Sequence, residues 1–176
     1  MSKVNQSLVA LVLSFFVVQP VLAQAPPQPG AEHQNLKQLE GTWDAVIKAG
    51  PNESKGVVTY KMDLGGLWLV SDFQGAFEGQ KFTGRGLDSY DAIKKKYVSV
   101  WVDSMSTLPV VSEGNFDKDG KVLTMVGEGP GPDGKPMKYK MTTEHKDKDT
   151  LLWTMFGAGP DGKDAEMFSI TYKRRK

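Results

Sequence analysis

From Thr42 to the C-terminus the chain is a succession of short segments in which apolar and polar residues alternate with a period of two, each closed by glycine, proline or aspartate. That pattern marks half-buried strands joined by tight turns. "TWDAVIKA" puts Trp43, Ala45 and Ile47 on one face and Asp44 and Lys48 on the other, and "KGVVTYKM" sets Val58, Tyr60 and Met62 against Lys55, Thr59 and Lys61. "LWLVSDFQGAF", "KFTGRGLDSYD", "KKYVSVWVDS", "LPVVSEGNF", "KVLTMVGEG", "PMKYKMTTEH", "TLLWTMFG" and "AEMFSITYK" continue the series to about ten strands. Parallel neighbours would need crossover segments of a dozen or more residues, for which there is no room, so consecutive strands pair antiparallel. An open meander of that length leaves two edges to aggregate, whereas closure into an up-and-down barrel removes both. The expected fold is therefore an all-β antiparallel meander barrel of about 8–10 strands, and beyond eight strands a barrel leaves room inside. A two-sheet sandwich is the alternative that strand counting leaves open.

The N-terminal stretch follows other rules. "SLVALVLSFFVVQPVLAQ" carries an apolar run from Leu8 to Val18 behind Lys3. The run is shorter than the about 20 apolar residues a membrane span requires. With Val21, Leu22 and Ala23 after it, it reads as an export signal over residues 1–23, cut after Ala23. Residues 24–32 form a proline-rich leader, whose prolines lack the N–H a sheet needs. "EHQNLKQLEG" places Leu36 and Leu39 three apart before Gly41, which predicts one or two helical turns. The barrel domain is expected over residues 33–176.

The chain contains no cysteine, so neither a disulfide nor a cysteine-linked lipid is available and stability rests on burial. The roughly 150 residues after the signal suffice for one domain with a real core. Of 22 basic residues only Lys3 lies in the signal, which leaves 21 against 21 acidic ones. Such a balance gives no footprint for nucleic acid or an anionic membrane. "KRRK" at Lys173 to Lys176 is the local exception and reads as a solvated strand end. The expected product is a soluble exported protein, periplasmic or secreted, without a stable membrane anchor once the signal is gone.

Two stretches imitate a phosphate-binding loop: "GPGPDGK" from Gly129 to Lys135 and "GAGPDGK" from Gly157 to Lys163. Such a loop works through consecutive backbone N–H groups and the positive end of a following helix. Pro130, Pro132 and Pro160 have no N–H, and Pro136 and Asp164 stand where a magnesium-binding hydroxyl is required. Strand-like alternation, not a helix, follows both. Pro-Asp-Gly is instead what a tight turn demands. "NFDKDGK" from Asn115 to Lys121 imitates a calcium loop through Asn115, Asp117, Asp119 and Gly120, but Val126 occupies the position of the bidentate glutamate. All three stretches are expected to be hairpin turns.

A catalytic constellation is not evident. Of the two histidines, His33 lies next to the leader, and there is no G-x-S-x-G elbow. No catalytic residue, metal site or cofactor is assigned. His145 continues the face of Met137, Tyr139, Met141 and Thr143, which would set an imidazole at the barrel mouth. "YVSVWVDSMST" has two faces, one bearing Tyr97, Ser99, Trp101 and Asp103, the other Val98, Val100 and Val102. If the first lines the cavity, Asp103 is a carboxylate able to orient a ligand, with Arg85 as one possible partner. Arg85 shares the ambiguity, since "FTGRGLD" carries glycines on its other face. Aromatic residues and eight methionines supply adaptable apolar surface.

Two stretches carry resemblances. "LEGTW", with Gly41-x-Trp43 opening the first strand after a helical turn, resembles the G-x-W motif of lipocalins and their calycin relatives. There the tryptophan plugs the closed end of the barrel under a basic residue near the last strand, and Arg174 or Lys173 is the counterpart here. "LDSYDAIKKKYVSVWVDSMST" together with "GGLWLVSDFQG" resembles an exported bacterial family known as a domain of unknown function and calycin-like, a likeness that spans most of residues 33–173. It implies a barrel and no activity.

The expected function is binding of a small, largely apolar molecule in the lumen. Tyr60, Phe73, Arg85, Trp101, Asp103, Tyr139 and His145 are the candidate ligand contacts, and Trp43 and Arg174 the structural plug. Two alternatives stand beside it: an enzyme using the cavity with His145 or Asp103 as acid–base groups, and an interaction module whose barrel is packed solid and whose outer face recruits a protein partner.

Overall fold

In the computed structural model, residues 26–77, 79–131, 134–159 and 161–176 are described. The expected export signal lies outside the described residues. A short helix α1 (Ala31–Lys37) precedes ten strands: β1 (Gly41–Ala49), β2 (Asn52–Asp63), β3 (Trp68–Phe77), β4 (Gln80–Asp91), β5 (Lys96–Asp103), β6 (Val110–Phe116), β7 (Val122–Pro130), β8 (Pro136–Asp147), β9 (Thr150–Ala158) and β10 (Asp164–Arg174). Each strand pairs antiparallel with the next, and β10 returns to β1 in a register running from Trp43 opposite Arg174 to Lys48 opposite Ser169. The barrel is closed, and the sandwich alternative is excluded.

On β1 the buried side is the one that the alternation in the sequence indicates. Trp43, Ala45 and Ile47 are buried while Asp44 is exposed, its carboxylate held by Arg175. Tight curvature needs small residues where backbones converge. A methyl group on Gly114 of β6 would lie 1.8 Å from the Thr124 carbonyl oxygen of β7, so only glycine lets these two strands bend together.

All three imitation motifs are turns. The Gly131 N–H donates to the Lys135 carbonyl and the Gly159 N–H to that of Lys163, both at 2.7 Å, while Gly134 and Gly162 take φ of 76° and 75°. In the third, Asp117 Oδ1 accepts from the Lys121 N–H at 2.8 Å and Gly120 has φ of 67°. Positive φ is the conformation for which a turn selects glycine.

α1 closes one end of the barrel. Its first turn is tied by His33, whose Nδ1 accepts from the Gly30 N–H at 3.0 Å and whose ring is buried against Tyr90. The helix thus begins inside the segment read as leader, and His33 belongs to the fold. Leu36 is buried beneath it, and Asn35 Nδ2 donates to the Tyr97 hydroxyl at 2.9 Å. Trp43 completes the closure. It is 1 % exposed, its Nε1 donates to the Leu39 carbonyl at 2.8 Å, and the Arg174 guanidinium lies 4.0 Å from its ring centre. Arg174 also donates to the Gln38 and Glu40 carbonyls, so the end of the last strand is bound to the linker that opens the first.

Candidate functional site

The barrel encloses a cavity of about 1100 Å³ that runs from α1 to the far rim, where Met105–Leu108, Gly131 and Gly134 border it. Ligand pockets commonly reach about 1,000 Å³, so this lumen is large for a chain of this length. Ten strands explain it, because the circumference outgrows what inward side chains can fill.

The wall has two regions. Towards the far rim it is aromatic. Phe73 and Phe82 meet edge-on at 5.6 Å, the Phe82 and Trp101 rings stack at 6.4 Å, and Phe168 packs on Phe77 at 5.4 Å and on Trp153 at 5.3 Å. β4 makes this possible by offering no side chain at Gly84, where a Cβ would stand 2.1 Å from the Trp101 ring. The glycines of "FTGRGLD" are therefore inward, and so are Tyr97, Ser99, Trp101 and Asp103 of β5, all of which line the cavity.

Deeper in, the wall carries a polar corner. Asp88 of β4 sits opposite Ser99 of β5, whose hydroxyl hydrogen-bonds its carboxylate. Burial pushes the Asp88 carboxyl up to about 6, and the Ser99 bond acts in the opposite direction. Tyr60 of β2 and Tyr172 of β10 are hydrogen-bonded to each other, and Tyr60 is near enough to feel the Asp88 charge. Burial holds both phenols above their ordinary range. Ser71 of β3 joins the group from beside Gly86.

Of the residues singled out from the sequence, Tyr60, Phe73, Trp101, Asp103, Tyr139 and His145 line the cavity. Arg85 does not. It stands on the outer wall, its side chain 64 % exposed, and donates from Nε to Asp72 Oδ1 at 2.8 Å. With Gly84, Gly86 and Asp88 facing in, strand parity forces Arg85 out. The inward residues also do not form one cluster. Asp103 lies near the far rim, with Oδ2 accepting from Trp101 Nε1 at 3.0 Å and Oδ1 from the Met105 N–H at 2.8 Å. His145 lies towards the α1 end, not at the mouth, with Phe116 edge-on at 5.6 Å. Burial lowers its pKa. Tyr139 is buried, its hydroxyl donating to the Pro130 carbonyl. The sequence reading passed over Asp88, Ser99 and Tyr172 as site residues. The signal was available: Phe82, Gly84, Gly86, Asp88 and Tyr90 share one parity, and the tryptophan on the following strand needs a wall without side chains.

A family model described as "Protein of unknown function (DUF1579)" matches residues 28–174. Among solved structures, Rv2717c from M. tuberculosis is similar at 14% identity and a TM-score of 0.58, over 84% of this chain and 99% of that one. The S-type phycobiliprotein lyase CPES from Guillardia theta is similar at 11% identity and a TM-score of 0.55, over 82% and 93%. At such identities the likeness is one of fold. Among the curated proteins no match was found.

Proposed function

Since the chain belongs to the DUF1579 family, we propose that its barrel binds a small, largely apolar molecule in the lumen, oriented by the corner formed by Asp88, Ser99, Tyr60 and Tyr172. The observation that carries this reading is the cavity of about 1100 Å³ with aromatic and methionine walls and one polar corner. Pockets that are mostly apolar with a few convergent polar groups are how small molecules are held and oriented. The fold shared with a protein named as a phycobiliprotein lyase leaves the ligand to be set by this chain's own lining.

The two alternatives fare worse. A solidly packed barrel does not fit a lumen of this volume. Acid–base chemistry by His145, Asp103 and Arg85 requires them to converge, and they occupy the α1 end, the far rim and the outer wall.

The neutral fluorophore N-phenyl-1-naphthylamine tests the reading. It is expected to bind with a dissociation constant of roughly micromolar or below, with quenching of Trp101 and Trp153, which line the cavity. Thr143→Trp, which adds a ring to the lumen wall, is expected to weaken binding about ten-fold or more. An unresponsive fluorophore, or equal binding by the filled variant, counts against the lumen as the site. The apolar run from Leu8 to Val18 supports binding after export. N-terminal sequencing of protein recovered from the periplasm or medium is then expected to begin at Gln24, and an intact N-terminus would refute export by cleavage.

A further inference from the structure

The charges inside the barrel are of one sign. Among the described residues lining the cavity there is no lysine and no arginine, while Asp88 and Asp103 both face it. The remaining titratable group with a basic form, His145, is driven towards its neutral state by burial. An anionic head group entering this lumen would lose its hydration and meet no counter-charge, which is among the costliest arrangements in a protein interior. Aromatic faces, by contrast, attract cations.

The two carboxylates are not equivalent. Both oxygens of Asp103 are engaged by its own strand end, through Trp101 Nε1 and the Met105 N–H. Asp88 lies deeper, bonded by the Ser99 hydroxyl, on a strand whose next two inward positions towards the rim are glycines. β4 thus offers no inward side chain above it until Phe82, about 20 Å further along the strand at about 3.3 Å per residue, and the Trp101 ring lies over both glycines. A ligand whose head reaches Asp88 therefore lays its body along the Trp101 ring that covers this strip.

We infer that the lumen takes an apolar molecule carrying a protonated amine, its ammonium group seated against Asp88 and its body among the rings of Phe73, Phe82 and Trp101. The inference rests on the binding reading above and names the class of ligand. A bound ammonium ion favours the ionised form of Asp88, so affinity for an amine rises with pH through about 6, the value to which burial has pushed this carboxyl. The groups facing Asp88 are Ser71 on β3, Ser99 on β5, Tyr60 on β2 and, through Tyr60, Tyr172 on β10. Both tyrosines are held above their ordinary range and remain neutral throughout.

Three probes sharing one ring system separate charge from burial: 1-pyrenemethylamine, 1-pyrenemethanol and 1-pyrenecarboxylic acid, titrated by fluorescence against the full-length mature protein. At pH 7.5 the amine is expected to bind about ten-fold or more tighter than the alcohol, and the acid more weakly than either. The amine's advantage is expected to shrink about ten-fold between pH 7.5 and pH 5. Asp88→Asn is expected to reduce it to about two-fold or less, with alcohol binding showing that the lumen is intact. The acid binding as tightly as the alcohol overturns the inference, as does an amine preference that survives Asp88→Asn or disappears only in Asp103→Asn. If the charge order is wrong, this inference fails and lumen binding stands. Binding of none of the three removes both.

Discussion

Replacing Trp43 with alanine is expected to lower the stability of the barrel by about 3–5 kcal/mol and its melting temperature by roughly 10 °C or more. The ring is almost wholly enclosed and belongs to the cluster with Ala45, Ile47, Val58, Phe73, Leu151 and Tyr172. Its loss removes packing, leaves the Leu39 carbonyl without the N–H it accepts, and takes the ring from beneath the Arg174 guanidinium, which keeps its bonds to the Gln38 and Glu40 carbonyls. Trp43→Phe separates the two contributions. It keeps a ring under Arg174 but gives up the hydrogen bond, and is expected to cost about 1–2 kcal/mol for that bond plus a smaller packing loss. Urea unfolding of the three proteins measures both. A loss under about 1 kcal/mol for the alanine variant would mean that this end of the barrel is closed by α1 alone.

The same tryptophan shows why so much of the fold was legible in the sequence. Period-two alternation, turn residues at short intervals and the absence of room for crossovers permit few topologies, and the closed meander is the one without free edges. The plug was legible only through the resemblance of "LEGTW" to the lipocalin G-x-W motif; in the structure Arg174 stands opposite Trp43 because the last strand returns to the first. What the sequence left undecided was parity in two strands. Alternation in "FTGRGLD" is compatible with either face inward, since glycine fits both a wall and a bend, and Arg85 is the charged side chain on the face opposite the glycines. The outcome turns on Trp101, which needs the strip of β4 where Gly84 lies. That is a contact between strands, invisible to a pattern within one strand. His145 lines the lumen as its alternation indicates, but at the α1 end and not at the mouth, because a strand's alternation says which side a residue faces and not which rim it approaches. Irregularities between His145 and Asp147 and between Glu166 and Phe168 further shift parity late in the chain.

Asp88→Asn is expected to make the ligand-free protein more stable at pH 7.5, by about 3 kcal/mol, and to leave it unchanged near pH 3. The carboxyl has a value of about 6 in the folded barrel against an ordinary 3.8. Between these two values the folded state holds more protons than the unfolded one, so this group makes stability fall as pH rises through the window. Its cost is absent below the unfolded value and complete above the folded one. Asparagine keeps the shape and a hydrogen-bond acceptor for Ser99 but cannot ionise. His145 acts in the opposite sense over overlapping pH, because burial lowers its pKa and the neutral ring is favoured in the fold. Glu113, held down to about 2 by Lys96 and Lys94, acts lower still. The difference between variant and parent cancels both and isolates Asp88, so chemical unfolding of the pair at intervals from pH 3 to pH 8 is the measurement. A difference that stays flat across that range, or a variant that is less stable at neutral pH, would place Asp88 in water and remove the polar corner as an anchor. A carboxylate that weakens its own fold at neutral pH is compensated when something positively charged or strongly hydrogen-bonding fills the space in front of it.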